Sequence, residues 1–156
     1  MKISDFLRKD AVTTDLKSET KADVISEMVS MLVECGAIEK KHKNKIVDGL
    51  LAREALGSTA IGQGIAIPHT KSDTVTELVS ALAISKKGVN FDSLDGELAY
   101  IFFLLIAPAD SAGPHLKALA RVSRLLKDKF FRDSLKNTKT AKDVMDLVSQ
   151  EDSRIG

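Results

Sequence analysis

The chain has 156 residues, 44% of them hydrophobic and 29% charged, and this length suits one compact domain over residues 1–156. Lysine and arginine number 23 against 22 aspartate and glutamate, which excludes an overall field that attracts nucleic acid or an anionic membrane. The only cysteine, Cys35, excludes an internal disulfide and a cysteine-based zinc site.

No segment of the sequence is typical of export or of membrane insertion. The first residues lack the apolar core and the small-residue cleavage site of a signal peptide. The longest apolar run, residues 98–107, is shorter than the roughly 18 residues that a membrane-spanning helix needs. We therefore expect a cytoplasmic protein that does not insert into a membrane.

A short strand and a helix are predicted near the start of the chain. Alternation over residues 12–16 predicts a strand with one buried face, and helical spacing of apolar residues predicts a helix over 20–35. Thr20 and Asp23 form a capping pattern at its start, and Gly36 is a natural stop. The alternating residues are Val12, Thr14 and Leu16, and the helical stripe is Ile25, Met28, Val29 and Leu32.

A second helix and a glycine-rich segment follow. The helix is predicted over residues 39–56, and glycines then predict a loop over 58–64. A very short strand over 65–67 should end at Pro68, because proline lacks the backbone donor that pairing requires. His69 is therefore expected where this strand breaks off.

The middle of the chain reads as a hairpin followed by a central strand. Residues 78–85 and 89–91 are strand-like, and Lys86-Lys87-Gly88 is the predicted turn between them. The apolar run 98–107 ends at Pro108 and should be buried on both faces, which predicts a place in the middle of the sheet.

Three helices are predicted after this strand. The first should begin near Pro114, a residue favoured at the first helical position, and His115 would lie in its first turn. A short helical piece is predicted over 130–135. A last helix should begin at Thr140, with Asp143 completing its cap.

The sequence around His42 differs clearly from the sequence around His69. His42 lies in the charge run Lys40-Lys41-His42-Lys43-Asn44-Lys45, which is typical of a solvated surface, and we assign it no role. His69 follows a glycine-rich loop and a proline-ended strand that have no evident structural need for an imidazole. Without further information, a functional and a structural role for His69 are equally supported.

The settings of His115 and Arg53 also allow two interpretations. A helix N-terminus at His115 could bind an anion, although an ordinary capping role fits the same place. Arg53 complements the dipole at the end of its own helix, and its guanidinium could equally grip a phosphate with two hydrogen bonds. Gly62 and Gly64 lack the lysine and the third glycine of nucleotide-binding loops, which argues against nucleotide binding.

The stretch from Arg53 to His69 strongly resembles the enzyme IIA domains of the fructose, mannitol and nitrogen-regulatory class of the bacterial phosphotransferase system. It reads Arg53-Glu54-Ala55-Leu56-Gly57-Ser58-Thr59-Ala60-Ile61-Gly62-Gln63-Gly64-Ile65-Ala66-Ile67-Pro68-His69. The resemblance extends to Ala107-Pro108-Ala109-Asp110 and to His115-Leu116 with the helix that follows. One departure is Thr70, where many members of the family have glycine.

The resemblance implies both a fold and a site. The fold is an α/β domain with a mixed sheet of about five strands and helices on both sides. His69 would be the phosphorylated nucleophile, His115 a second histidine that supports it, and Arg53 the cation that binds the phosphate. No cofactor and no metal ion is implied, and a zinc site at His69 and His115 would need a further ligand that the sequence does not indicate.

The chemistry of a phosphate relay agrees with these residue types. A neutral imidazole offers a lone pair at neutral pH, and a hydrogen bond to its other nitrogen would fix the tautomer, although the sequence does not identify that acceptor. A protein partner also requires an exposed apolar rim, for which Ile61, Ile65 and Ile67 are candidates if they are not part of the core.

The resemblance implies protein partners, with three alternatives for the branch. The donor would be the histidine phosphocarrier protein. In a nitrogen-regulatory branch, which the opening residues Met1-Lys2-Ile3-Ser4-Asp5-Phe6-Leu7 favour, phosphorylation would control regulated kinases or transporters. In a fructose-type branch the phosphate would pass to a cysteine of an enzyme IIB. The third alternative is a regulatory binding module that acts through protein contacts without phosphate turnover.

Overall fold

The computed structural model describes all residues from 1 to 156 and contains six strands and five α-helices. The strands are β1 (Leu7–Thr13), β2 (Ala60–Gly62), β3 (Ile65–Ala66), β4 (His69–Ser72), β5 (Val79–Val89) and β6 (Ala99–Pro108). The helices are α1 (Lys21–Glu34), α2 (Lys43–Ala55), α3 (Ala112–Leu125), α4 (Lys129–Lys136) and α5 (Ala141–Arg154). Two single 3-10 turns cover Ile3–Asp5 and Lys40–His42.

The strands form one mixed sheet in the order β1-β5-β6-β3-β2, and β4 pairs with β6 beyond the end of β3. Strand β5 runs antiparallel to β6 and parallel to β1, whereas β3 and β4 both run parallel to β6. The sheet has six strands, where about five were expected. β2 and β4 were not predicted from the sequence, whereas β5 combines two predicted strands.

Two hydrophobic cores lie on opposite faces of this sheet. Side chains of β6 alternate between them, because successive residues of a strand point to opposite faces. Phe102, Leu104 and Ile106 pack with residues of α1 and α2, whereas Ile101, Phe103 and Leu105 pack with residues of α3, α4 and α5. The prediction that this apolar run is a central strand with helices on both sides of the sheet is confirmed.

The predicted helix caps are confirmed at α1 and α5. The hydroxyl of Thr20 accepts a hydrogen bond from the backbone N–H of Asp23, and Thr140 does the same for Asp143. Helix α2 begins at Lys43 and not at residue 39, because a 3-10 turn precedes it. Helix α3 begins two residues before Pro114, at Ala112, so His115 is its fourth residue.

The strand predicted over 12–16 is present but lies earlier in the chain, and the predicted loop over 58–64 is wrong. Strand β1 ends at Thr13, and Leu16 is buried beyond it with its N–H bonded to the Ile84 carbonyl oxygen. Residues 60–66 form a tight hairpin, because Gln63 and Gly64 have φ values of 60° and 78° and close the two-residue turn between β2 and β3.

The predicted hairpin over 78–91 is wrong as well, because β5 continues through Lys86-Lys87-Gly88 as one strand. Its register against β6 shifts between Ile84 and Val89, and Gly88 has a φ of 84°. A Cβ atom on Gly88 would lie 2.7 Å from the ring of Tyr100. The glycine therefore marks a bulge covered by an aromatic ring and not a turn.

None of the helices combines the length and the apolar character needed to cross a membrane.

The core of the sheet should dominate the stability of the protein. Leu104 in β6 is fully buried, whereas Leu94 in the loop before β6 is 75% exposed. Because truncation leaves a cavity only in the core, we predict that Leu104→Ala lowers the free energy of unfolding by about 2–5 kcal/mol. The matched control Leu94→Ala should change it by less than about 0.5 kcal/mol. Urea unfolding of both variants measures the difference, and equal effects would contradict the assigned core.

Candidate functional site

The site begins at an interruption in the strand that lies beside β6. β3 and β4 keep the same register against β6, since Ile65 pairs with Ile101 and His69 pairs with Leu105. Between them, the Pro68 carbonyl oxygen accepts a hydrogen bond from Leu105 N–H, but proline has no N–H to return. Pairing resumes at His69, which is therefore the first residue of a strand. The sequence had instead indicated that His69 follows the end of a strand.

The ring of His69 is oriented by a backbone carbonyl group. Its Nδ1 lies 2.8 Å from the carbonyl oxygen of Ile67, two residues earlier. A carbonyl oxygen can only accept, so Nδ1 must carry the proton in this contact. In the neutral ring the lone pair is then on Nε2, which is the atom of this half-buried side chain that could attack an electrophile.

A second imidazole packs beside the first. The ring centroids of His69 and His115 are 5.5 Å apart, with an angle of 48° between the ring planes. His115 comes from the first turn of α3 and is only 5% exposed. Its Nδ1 is buried without a hydrogen-bond partner. Because a buried N–H without a partner costs more than an unfilled lone pair, this arrangement favours the tautomer with the proton on Nε2.

Arg53 belongs to the last turn of α2, on the other face of the sheet from α3. Its Nη1 donates a hydrogen bond of 2.8 Å to the Gly57 carbonyl oxygen, which leaves other N–H groups of the guanidinium unused. One turn earlier, Gly49 allows close approach of α2 to β4, since a Cβ atom there would lie 3.1 Å from Oγ1 of Thr70. The glycine and the start of β4 thus bring the end of α2 close to the strand that carries His69.

Burial and local charge lower the pKa values of both histidines. For His69, burial is the largest cause, the Ile67 carbonyl opposes it, the positive charge of Arg53 lowers the pKa and the negative charge of Glu54 raises it. For His115, burial again dominates, with smaller contributions in the same direction from His69 and Lys71. Both rings are therefore neutral at pH 7, the state in which an imidazole nitrogen can attack.

The structure brings the rings of His69 and His115 together, and the positive charge of Arg53 contributes to the lowered pKa of His69. His42 lies elsewhere, 3.9 Å from the Glu39 carboxylate at the start of α2. No three His, Cys, Asp or Glu side chains are grouped in a way that could hold a metal ion. The acceptor for Nδ1 of His69, which the sequence did not identify, is a backbone atom, so no residue type could have indicated it.

Of the three candidates for an apolar rim, only Ile61 is exposed, at 52%. Ile65 and Ile67 are buried and belong to the core, the alternative that the sequence left open. Two other apolar side chains next to site residues in the sequence are exposed. Leu116 follows His115 and is 65% exposed, and Leu56, three residues after Arg53, is 85% exposed.

Comparison with known proteins identifies the family to which the sequence is similar. Residues 5–151 match the family described as "Phosphoenolpyruvate-dependent sugar phosphotransferase system, EIIA 2". The PTS system fructose-specific EIIABC component of Bacillus subtilis is 36% identical over 97% of this chain. The chain spans only 24% of the length of that relative.

Two solved structures have the same fold. The nitrogen regulatory protein IIA-Ntr of Neisseria meningitidis superposes with a TM-score of 0.85 at 28% identity, covering 94% of this chain and 98% of that one. The mannitol enzyme IIA of Escherichia coli, in its complex with phosphorylated enzyme IIB, superposes with a TM-score of 0.78 at 21% identity over 93% and 99% of the two chains. The chain belongs to the EIIA 2 family of the phosphoenolpyruvate-dependent sugar phosphotransferase system.

Proposed function

We propose that this protein is a phosphoryl carrier that accepts a phosphoryl group on Nε2 of His69 and passes it to another protein. One observation carries the proposal: the Ile67 carbonyl occupies Nδ1 and leaves the lone pair of a neutral ring on Nε2. Membership of the EIIA 2 family supports phosphoryl transfer as the reaction. The proposed carrier comprises residues 1–156 as one domain and acts in the cytoplasm.

The transfer step is an in-line displacement at phosphorus. The Nε2 lone pair of His69 forms a bond to the phosphorus atom of a phosphohistidine on the donor, while the nitrogen–phosphorus bond of the donor breaks. The bonding electrons return to the donor imidazole, so no net proton transfer to or from His69 is required. A second acceptor then attacks the same phosphorus atom, the bond between phosphorus and Nε2 breaks, and its electrons return to the His69 ring.

Arg53 and His115 would stabilise the phosphoryl oxygens during this step. Phosphoryl transfer passes through a loose transition state, so catalysis depends chiefly on positioning and on charge around the equatorial oxygens. The free N–H groups of Arg53 can bind these oxygens, and the Nε2–H of His115 can donate to one of them. In this proposal neither residue bonds covalently to phosphorus.

The proposed partners are the histidine phosphocarrier protein as donor and either an enzyme IIB or regulated kinases and transporters downstream. The exposed side chains of Leu56 and Leu116 supply apolar surface next to Arg53 and His115. Similarity to a fructose-specific component supports the transport branch, and similarity to a nitrogen regulatory protein supports the regulatory branch. We favour the regulatory branch because the superposition with that protein has the higher TM-score, 0.85 against 0.78 for the mannitol enzyme IIA.

A binding module that acts without phosphate turnover is the second candidate. The similarity to a nitrogen regulatory protein is the observation that favours it, because regulation can act through the unphosphorylated form. Such a module would not require a neutral imidazole with an unprotonated Nε2 beside an arginine. Phosphorylation therefore separates the two candidates.

We predict that the purified protein acquires an acid-labile, alkali-stable phosphate when it is incubated with phosphoenolpyruvate and the two upstream proteins of the phosphotransferase system, which are the histidine phosphocarrier protein and the protein that phosphorylates it. His69→Ala should abolish this label, because it removes the nucleophile. The matched control His42→Ala should keep it, because His42 lies at the start of α2 among lysines. Intact-protein mass spectrometry measures the result, and full labelling of His69→Ala would exclude His69 as the acceptor.

A second prediction concerns pH. The pKa of His69 lies below its usual value, so phosphorylation should become independent of pH at a lower pH than it would with an ordinary histidine, and should slow as the ring becomes protonated. Arg53→Met removes a positive charge that lowers this pKa, so the pKa should rise and the loss of rate should move to higher pH.

NMR titration of His69 in Arg53→Met, compared with the exposed control Arg124→Met, tests the shift. A His69 pKa that stays the same or falls in Arg53→Met would show that the guanidinium does not act on the ring.

A further inference from the structure

The buried carboxylate of Glu54 has no part in the function proposed so far. It lies in the last turn of α2, directly after Arg53, and only 6% of the residue is exposed. A buried charge is costly unless it is paired and hydrogen-bonded. The contacts of this carboxylate therefore indicate what it does.

Three donor groups converge on Glu54. The backbone N–H of Thr59 donates to both carboxylate oxygens, at 3.2 and 3.3 Å, and the Thr59 hydroxyl donates to one of them. The Lys21 ammonium group lies 3.3 Å from Glu54 and 3.0 Å from Asp92. Glu54 is thus charge-compensated by Lys21, and its hydrogen-bonding capacity is directed at Thr59.

Thr59 lies opposite Ile67 in the hairpin. Ala60 pairs with Ala66 in the antiparallel register, so the next pair outward is Thr59 with Ile67. Residues of a hydrogen-bonded antiparallel pair normally exchange two bonds, each N–H donating to the carbonyl oxygen of the other. Here only one forms: Ile67 N–H donates to the Thr59 carbonyl oxygen at 3.1 Å.

The second bond is replaced at both ends. The N–H of Thr59, which would complete the pair, donates to Glu54 instead. The carbonyl oxygen of Ile67, which would receive it, accepts Nδ1–H of His69 at 2.8 Å. At this one position of the ladder, both hydrogen-bonding groups therefore have partners other than each other. As a result, the Ile67 carbonyl oxygen is available to accept from the imidazole of His69.

We propose that Glu54 is a positioning residue that captures the N–H of Thr59 and so keeps the Ile67 carbonyl available to orient the ring of His69. Its effect on phosphoryl transfer rests on the function proposed above, whereas its effect on the ring does not. Glu54 touches neither the phosphate nor the attacking nitrogen in this scheme. The carboxylate suits the task because it accepts from the Thr59 N–H and hydroxyl together, and its charge strengthens both bonds.

The local connectivity extends this role to Arg53. The Gly57 carbonyl oxygen that accepts from Arg53 lies in the short segment between Glu54 and Thr59. The hydrogen bonds that Thr59 donates to Glu54 fix both ends of this segment. The same carboxylate therefore helps to position both the carbonyl that accepts from Arg53 and the carbonyl that accepts from His69.

The test replaces Glu54 by leucine, which fills the space but accepts no hydrogen bond. Through-hydrogen-bond NMR couplings between amide nitrogen and carbonyl carbon report each bond directly in the unphosphorylated protein. In Glu54→Leu we expect a new coupling from Thr59 N to the Ile67 carbonyl carbon, and a fall in the fraction of His69 that carries its proton on Nδ1. The coupling from Ile67 N to the Thr59 carbonyl carbon should persist in both proteins as an internal reference.

The matched control is Glu151→Leu, because Glu151 is another buried glutamate near the end of a helix, paired with Arg154. It should lower stability without changing the His69 tautomer. Phosphorylation of Glu54→Leu should slow by about ten-fold or more, the size of effect seen when hydrogen-bond partners behind metal-ligating histidines are removed. Glu54→Gln, which keeps an acceptor oxygen, should recover part of the rate and of the tautomer.

A folded Glu54→Leu protein with the wild-type His69 tautomer and no new coupling would overturn the proposal. If Glu54→Leu does not fold, Glu54→Gln decides by the same two measurements, because a neutral amide oxygen accepts the Thr59 N–H more weakly than a carboxylate does. The fraction of His69 with its proton on Nδ1 should then fall, and an unchanged tautomer with no new coupling would overturn the proposal. Failure of the wild-type protein to accept phosphate would refute the proposed function alone, because the couplings and the tautomer are measured without phosphate.

Discussion

A single carbonyl oxygen, that of Ile67, determines which nitrogen of the His69 ring carries the proton. The carbonyl accepts a hydrogen bond from Nδ1, which fixes the proton on that nitrogen and leaves the lone pair of the neutral ring on Nε2, the nucleophile in the proposed function. The rest of the site is arranged around this bond. His115 packs beside the ring from α3, and Arg53 acts on it from the end of α2, so helices on both faces of the sheet contribute to one imidazole.

The sheet makes this arrangement rigid at the point where its hydrogen bonding is irregular. Strands β3 and β4 keep one register along β6 although Pro68 interrupts their pairing. Buried side chains of β6 pack into a core on each face and hold that register. The irregular position is therefore surrounded by well-packed structure, which is what a preoriented nucleophile requires.

Much of this fold follows from local sequence signals. The caps at Thr20 and Thr140 are predictable because each depends on residues three apart, and the buried run of β6 is predictable from its apolarity alone. The glycine-rich segments were less informative. Gly64 closes a hairpin and Gly88 makes a bulge, and both look like loop residues in the sequence because the positive φ that they share does not distinguish these uses.

The site could be predicted only as far as side-chain types indicate it. His69, His115 and Arg53 were found through the family resemblance, and the geometry brings the two histidines together. Their settings alone left structural roles open. The Ile67 carbonyl is backbone and has no signature, and Ile65 and Ile67 were candidates for the rim because apolar residues do not reveal whether they face a core or a partner. Those distinctions depend on which strands pair, a property of the whole sheet.

The central claim is that the phosphoryl group bonds to Nε2 of His69 because Nδ1 is held by the Ile67 carbonyl. NMR of the phosphorylated protein with ¹⁵N-labelled histidine tests it most directly, through the coupling between phosphorus and the bonded nitrogen. The account predicts a one-bond coupling to Nε2 of His69 and retention of the proton on Nδ1. A one-bond coupling to Nδ1, or to a nitrogen of His115 or His42, would contradict it.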